Sequence, residues 1–347
     1  MNTKLLTVSV ASYNVAACLG KCLDSFLECK RLRDIEVIVV DDGSSDGTAE
    51  VAKKYVQAAP GSIRLVEKEN GGHGSTINTS IAYAQGKYFK VVDADDWIVP
   101  ESVDALLDVL SAHNVDVAIN PYFEEHMDTG AEELVGLPEL LSGYQGPIGS
   151  ICAFDSLAPH ISLRMHALTF RTSILKAMPK IDENCFYVDV EYAIFPIKAL
   201  ETAIVLPQPL YCYLLGTSNQ SMNKKNLEKR IDQHSRVVKR LSDYYEKTAA
   251  VLSESKRELV LRRIVTMARD NYMIYLRMSD DRQAEGIKQF DRNLAECPSI
   301  YSACLVLQEG RKKRLLDRVL PRLRGNGFRG LASARRFIHT WDKLHGR

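Results

Sequence analysis

No stretch of about 18 consecutive apolar residues occurs in this chain, so none reads as a membrane-spanning helix. Its eight cysteines include no Cys-x-x-Cys pair. Cys18 and Cys22 stand four apart on an expected helix, half of a zinc site without a second half of suitable spacing. The thiols are therefore expected to be free, as in a reducing compartment. A P-loop requires a lysine that Gly71-Gly72-His73-Gly74-Ser75 lacks, and the first strand is followed by Ala11-Ser12-Tyr13-Asn14 rather than by Gly-x-Gly-x-x-Gly. Those absences exclude the two commonest phosphate-binding loops. No internal repeat and no low-complexity segment is present. The start, Leu5-Leu6-Thr7-Val8-Ser9-Val10, alternates and lacks a small-residue cleavage pattern, which leads to the expectation of a cytoplasmic protein.

What is present is the composition of an ordinary globular protein: 347 residues, 46% apolar and 26% charged, enough for one large domain with an appendage. The net charge of +1 is unevenly spread. Residues 311–347 hold twelve basic side chains against Asp317 and Asp342, so an acidic body carries a basic tail.

Strand and helix patterns alternate through the first half. Strands are expected at 7–11, 35–40, 63–67 and 88–92, with helices beginning near Leu19, Thr48, Thr76 and Pro100. Strands apolar on both faces and separated by helices predict a parallel, doubly wound sheet. A further strand is expected at 115–120, an irregular region at 122–163, a helix after Asp189 running through Leu200, and a pair of short strands at 204–206 and 210–214. Beyond residue 227 the period is helical. The expected division is an α/β domain over 1–215 and a helical region over 216–347.

In doubly wound sheets, ligands bind at the carboxyl ends of the strands, and every polar cluster here falls on that edge. Asp41 and Asp42 follow the second strand; Asp93, Asp95 and Asp96 follow the fourth. Crowded carboxylates raise one another's pKa unless a cation lies among them, and hard divalent ions take oxygen ligands. The bland alternative is a turn in which Asp96 caps the next helix. His73, in the Gly-rich stretch on the same edge, either touches a ligand or fills a turn.

Four stretches then act together: Val8-Ser9-Val10-Ala11-Ser12-Tyr13-Asn14; Val39-Val40-Asp41-Asp42-Gly43-Ser44-Ser45-Asp46-Gly47-Thr48; Asn70-Gly71-Gly72-His73-Gly74 with Asn78; and Gly86-Lys87-Tyr88-Phe89-Lys90-Val91-Val92-Asp93-Ala94-Asp95-Asp96. In order and spacing they resemble the family 2 glycosyltransferases of the GT-A fold. A looser resemblance to the bacterial members that build capsular and exopolysaccharides continues through Tyr211-Cys212-Tyr213 and Gln220-Ser221-Met222.

The resemblance implies an inverting transferase using a UDP-sugar donor, Mg2+ or Mn2+, and a glycan or lipid-linked glycan acceptor. It assigns Ala11, Tyr13, Asn14, Asp41, Asp42, Asn70, Gly74 and Asp93 to the donor nucleotide. Asp95 becomes the metal ligand, with Asp93 at the ribose or on the metal through water. Asp189 becomes the general base and Glu191 its rival. Two departures stand out: Ala11 replaces the proline of many relatives, and Val188 stands where a glutamate precedes the base. The alternative is a non-catalytic protein that binds sugar nucleotides on the same fold. A sugar nucleotidyltransferase would carry a basic, Gly-rich loop after the first strand, and none is there. In the tail, Leu315, Leu316, Val319, Leu320 and Leu323 among arginines suit either an amphipathic helix on anionic lipid or a solvated basic helix. Nucleic acid is not an expected partner, because the tail shows no interleaved aromatic stacking pattern and no recognisable module.

Overall fold

The computed structural model describes residues 4–216, 224–278, 282–305 and 311–344. Contacts divide the chain into two compact units, residues 1–220 and 221–347.

In the first unit the strands are β1 (Leu6–Ser12), β2 (Ile35–Asp41), β3 (Ile63–Glu67), β4 (Tyr88–Asp93), β5 (Trp97–Ile98), β6 (Val117–Ile119), β7 (Tyr122–His126), β8 (Glu132–Val135), β9 (Ile151–Ala153), β10 (Leu168–Arg171), β11 (Thr202–Val205) and β12 (Tyr211–Leu215). The helices are α1 (Leu19–Leu27), α2 (Thr48–Ala58), α3 (His73–Tyr83), α4 (Pro100–Ala112), α5 (Leu137–Leu140), α6 (Phe154–Leu157), α7 (Thr172–Ala177) and α8 (Asp189–Ile194). The main sheet has the order β3-β2-β1-β4-β10-β6-β11-β9. β3, β2, β1 and β4 run parallel, and β2 is buried at all seven positions because helices cover both its faces. β10 is inserted antiparallel between β4 and β6, and β9 closes the far edge antiparallel to β11. The sheet is thus mostly parallel, as expected, with two reversed strands.

A second sheet, β5-β12-β7-β8, is built largely from the region expected to be irregular. The two short strands expected as a pair do not pair with each other. β11 joins the main sheet beside β6, whereas β12 runs parallel to β7 in the second sheet. Pattern alone cannot reveal which neighbour supplies a strand's hydrogen bonds.

α3 starts at His73, three residues earlier than its apolar period indicates. His73 and Gly74 therefore stand in its first turn. α4 starts at Pro100 with Val99 as its N-cap, so Asp96 is not the helix cap that the bland reading made it. α8 ends at Ile194, where Pro196 follows and the chain tightens into a 3-10 turn, Phe195–Ala199.

The second unit comprises α9 (Lys224–Lys229), α10 (Ile231–Thr248), α11 (Glu254–Arg277), α12 (Arg282–Ala295), α13 (Pro298–Ala303), α14 (Arg311–Gly325) and α15 (Leu331–Leu344). The expectation of a lipid-facing stripe on α14 is corrected here. Leu316, Val319, Leu320 and Leu323 are buried within the unit. Asp317 pairs with Arg269, and Arg324 pairs with Asp291 at 2.7 Å. These four apolar side chains are therefore covered by protein; the side chain of Leu315 and the stretch Gln220-Ser221-Met222 lie outside the described residues.

Candidate active site

The loops after β1 and β2 are stitched to each other. Asn14 adopts a left-handed conformation (φ 53°) that asparagine tolerates. Its amide N–H donates to Ser44 Oγ at 2.9 Å, and its Oδ1 accepts from the Ser45 N–H at 2.9 Å. Asp46 accepts from the Ala16 N–H at 3.0 Å and from the Thr48 hydroxyl at 2.6 Å, which holds its carboxyl below the usual range. Ala11 lies between Val40 and Asp93 in register, and Tyr13 projects 53% exposed beside it. An exposed ring on a fixed loop above two buried aspartates is a suitable platform for a flat base.

The adjacent aspartates behave differently. Asp42 is saturated: Oδ1 accepts from Lys68 Nζ at 2.7 Å and the Gly71 N–H at 2.9 Å, while Oδ2 accepts from the Gly72 N–H at 2.7 Å. It braces the Gly-rich turn. Asp41 accepts one N–H, from Ser44 at 3.0 Å, and keeps acceptor capacity toward the sheet edge. Lys68 was not a candidate from sequence, since a lone lysine carries no motif. Asn70 is exposed on the same turn.

At the end of β4, His73 Nε2 and Asp93 Oδ1 lie 2.9 Å apart. Burial works against the imidazolium, yet the charge and hydrogen bond of Asp93, followed by the charges of Asp189 and Asp95, raise the His73 pKa. Burial likewise opposes the Asp93 carboxylate, but His73 outweighs it and lowers the Asp93 pKa. For Asp95 the balance is reversed: burial, then the charge of Asp93, outweighs the opposing charge of His73 and pushes its carboxyl up to about 6. Asp96 is buried and faces inward. It accepts from the Tyr211 hydroxyl and from the Leu214 N–H at 2.8 Å, while burial and the charges of Asp93 and Asp95 raise its pKa well above normal.

The segment leading to α8 crosses the Gly-rich turn. Asn78 on α3 donates to the Ile181 carbonyl at 2.8 Å and accepts from the Ile181 N–H at 3.0 Å. The Asn184 N–H donates to the Gly71 carbonyl at 2.6 Å. A Cβ on Gly74 would lie 1.9 Å from the Asp182 carbonyl oxygen, so only glycine permits this approach. Gly74, expected at the nucleotide, packs against the segment that leads to Asp189. Asn184 and the bulky Tyr187 both have positive φ (54° and 67°), a strain that the surrounding hydrogen bonds sustain. Asp189 opens α8, half-buried, and its charge reaches His73. Glu191 is fully buried and accepts from the Asp182 N–H at 2.8 Å.

Asp93 and Asp95 fit a hard divalent ion. They are oxygen donors two residues apart, Asp95 has no hydrogen-bonded cation among the described residues, and Asp93 is oriented by a histidine in the manner of an outer-shell partner. Asp96 does not fit that role, because both its oxygens are occupied from within.

Residues 7–151 match the sequence model of the family described as Glycosyl transferase family 2. This part of the chain is a family 2 glycosyltransferase domain. The glycosyltransferase GlyA of Streptococcus pneumoniae is 34% identical over 125 residues, 36% of this chain and 18% of GlyA. The putative glycosyltransferase EpsH of Bacillus subtilis is 32% identical over 130 residues, 38% of this chain and 37% of EpsH. The match thus spans well under half of either relative. In structure, residues 1–349 of S. aureus TarS in complex with UDP superpose with a TM-score of 0.66 at 18% identity, covering 99% of this chain and 92% of that one. The same TarS segment with UDP-GlcNAc gives 0.65 at 19% identity. The glycosyltransferase domain and TarS share the GT-A fold.

Proposed function

We propose that the protein is an inverting glycosyltransferase that moves a sugar from a UDP-sugar to a glycan or lipid-linked glycan acceptor in surface-polysaccharide assembly. The carrying observation is that α3 joins the two halves of the site: His73 at its start lies 2.9 Å from Asp93 at the end of β4, while Gly74 and Asn78 brace the segment that leads to Asp189. A base and an anion-handling pair thus share one open edge. Support for the donor comes from TarS, whose complexes contain UDP and UDP-GlcNAc. The eight free thiols accord with a cytoplasmic location. No described helix is long and apolar enough to cross a membrane.

In this reading Tyr13 and the Ala11 backbone hold the uracil, and Asp41 accepts its imide N–H. Asn14 fixes the loop beneath. Asp95 and Asp93 would hold Mg2+ or Mn2+, which would supply charge neutralisation for the departing diphosphate. Asp189 accepts the acceptor hydroxyl proton as the new C1–O bond forms and the bond from C1 to the diphosphate oxygen breaks on the opposite face, inverting the anomeric centre. Glu191 holds the segment in place. A panel of UDP-, GDP- and CDP-sugars assayed for Mn2+-dependent release of the nucleotide tests the proposal. Turnover of at least one donor, lost with EDTA, is expected; preference for a GDP- or CDP-sugar would overturn the donor assignment.

A further inference from the structure

Tyr213 is not used in the mechanism above, yet it stands among the groups that are. Its ring lies on the His166 imidazole with centroids 4.3 Å apart and planes 27° apart. His166 also meets Tyr211 at 4.7 Å and the edge of Tyr122 at 5.3 Å. Burial, opposed by the Asp93 charge, lowers the His166 pKa to about 4, so the ring is neutral near pH 7, and its buried Nδ1 has no hydrogen-bond partner among the described residues. The imidazole therefore acts as a flat prop. The strand on either side of Tyr213 is tied to Asp96, through the Tyr211 hydroxyl and the Leu214 N–H. Register places Tyr213 opposite Glu124 of β7. The phenol is thus held from the side and from the backbone.

Its hydroxyl, in contrast, makes no hydrogen bond among the described residues, and the side chain is only partly exposed. After burial, the charges of Asp96, Asp93, Asp189 and Asp95 raise its pKa, so it remains a protonated donor. A fixed donor without a partner thus stands beside the acidic turn after β4, and the 3-10 turn Met165–Ala167 that carries its prop packs against both β12 and α8, the helix that Asp189 opens.

We propose that Tyr213 binds the transferred sugar, its hydroxyl donating to a sugar oxygen and its ring walling the pyranose, and that the sugar is neutral. This rests on the glycosyltransferase reading. Neutrality follows from Glu124, opposite Tyr213 in register, and from Asp189, carboxylates outside the metal pair whose sign a uronate would share.

The test uses the full chain with Mn2+ and UDP-glucose, UDP-galactose, UDP-N-acetylglucosamine and UDP-glucuronate. A neutral donor should be turned over fastest. With that donor, Tyr213→Phe should lower kcat/KM about tenfold, the loss of one hydrogen bond, while the Kd for UDP alone stays within about twofold of wild type, well short of one lost hydrogen bond. His166→Ala should show the same split, and His166→Phe, which preserves a flat prop, should restore most of the rate. Unchanged kcat/KM in Tyr213→Phe overturns the assignment, as does an equal loss of UDP affinity, which would place the hydroxyl on the nucleotide. Preference for UDP-glucuronate overturns neutrality. If wild type binds no UDP and turns over no donor, the glycosyltransferase reading itself fails and this inference with it.

Discussion

The Tyr211 hydroxyl donates to the buried Asp96 carboxylate while accepting the Asp93 N–H at 3.2 Å. One phenol from β12 thereby fixes both ends of the acidic turn that follows β4. Tyr211→Phe should destabilise the protein by about 1–3 kcal/mol, because a buried carboxylate loses a donor. Urea midpoints for Tyr211→Phe, Asp96→Asn and the double variant check this. Additive effects would show that the two groups are uncoupled.

Gly74→Ala should lower transfer by at least about tenfold and stability by about 1–3 kcal/mol, the usual cost of overpacking. The added methyl meets the Asp182 carbonyl and displaces the segment carrying Asp189. Steady-state rates together with thermal melting decide it; a wild-type rate would mean that the segment tolerates the shift.

Asp95, with its carboxyl near pH 6, must lose its proton to bind a cation. Apparent Mn2+ affinity should be constant above about pH 7 and fall about tenfold per unit below about pH 6. Metal titrations of activity between these limits provide the check. Affinity that does not change down to pH 5 would remove Asp95 from the ligand set.

The His73–Asp93 pair carries its own pH signature. The raised histidine contributes fully below its ordinary value of 6.5 and loses that contribution as pH climbs through the raised one. The lowered aspartate contributes above its ordinary 3.8 and loses it as pH falls through the lowered value. The stability lost in His73→Ala should therefore be largest between about pH 4 and 6.5 and shrink on both sides, as denaturation at several pH values will show.

The parallel sheet of β1, β2, β3 and β4 was legible in the sequence, though not its strand order, because buried parallel strands are apolar on both faces and end in polar loops. Asp93 and Asp95 were legible for the same reason. Asp96 was not: Tyr211 lies 115 residues away, and spacing does not disclose so distant a hydrogen-bond donor. The bracing of the Gly-rich turn by Asp42 was not legible either, since an Asp-Asp-Gly stretch looks the same whatever its second carboxylate bonds. Asp189 and Glu191 are two residues apart and equally acidic; only burial separates them. The basic helix α14 shows the limit of amphipathic patterns, which record an apolar face but not whether protein or lipid covers it. Tyr213 stood inside a motif, but its stacking on His166 depends on a strand that pairs with β7.

Asp189→Asn, compared with Glu191→Gln, tests the central claim most directly. UDP affinity and UDP-sugar transfer are measured for both variants and for wild type. Asp189→Asn should bind UDP as wild type does and lose at least about a hundredfold in transfer, the lower end of what a general base contributes. Glu191→Gln should lose stability first, because its buried carboxylate holds the Asp182 N–H. Full transfer by Asp189→Asn would contradict the assignment of the base.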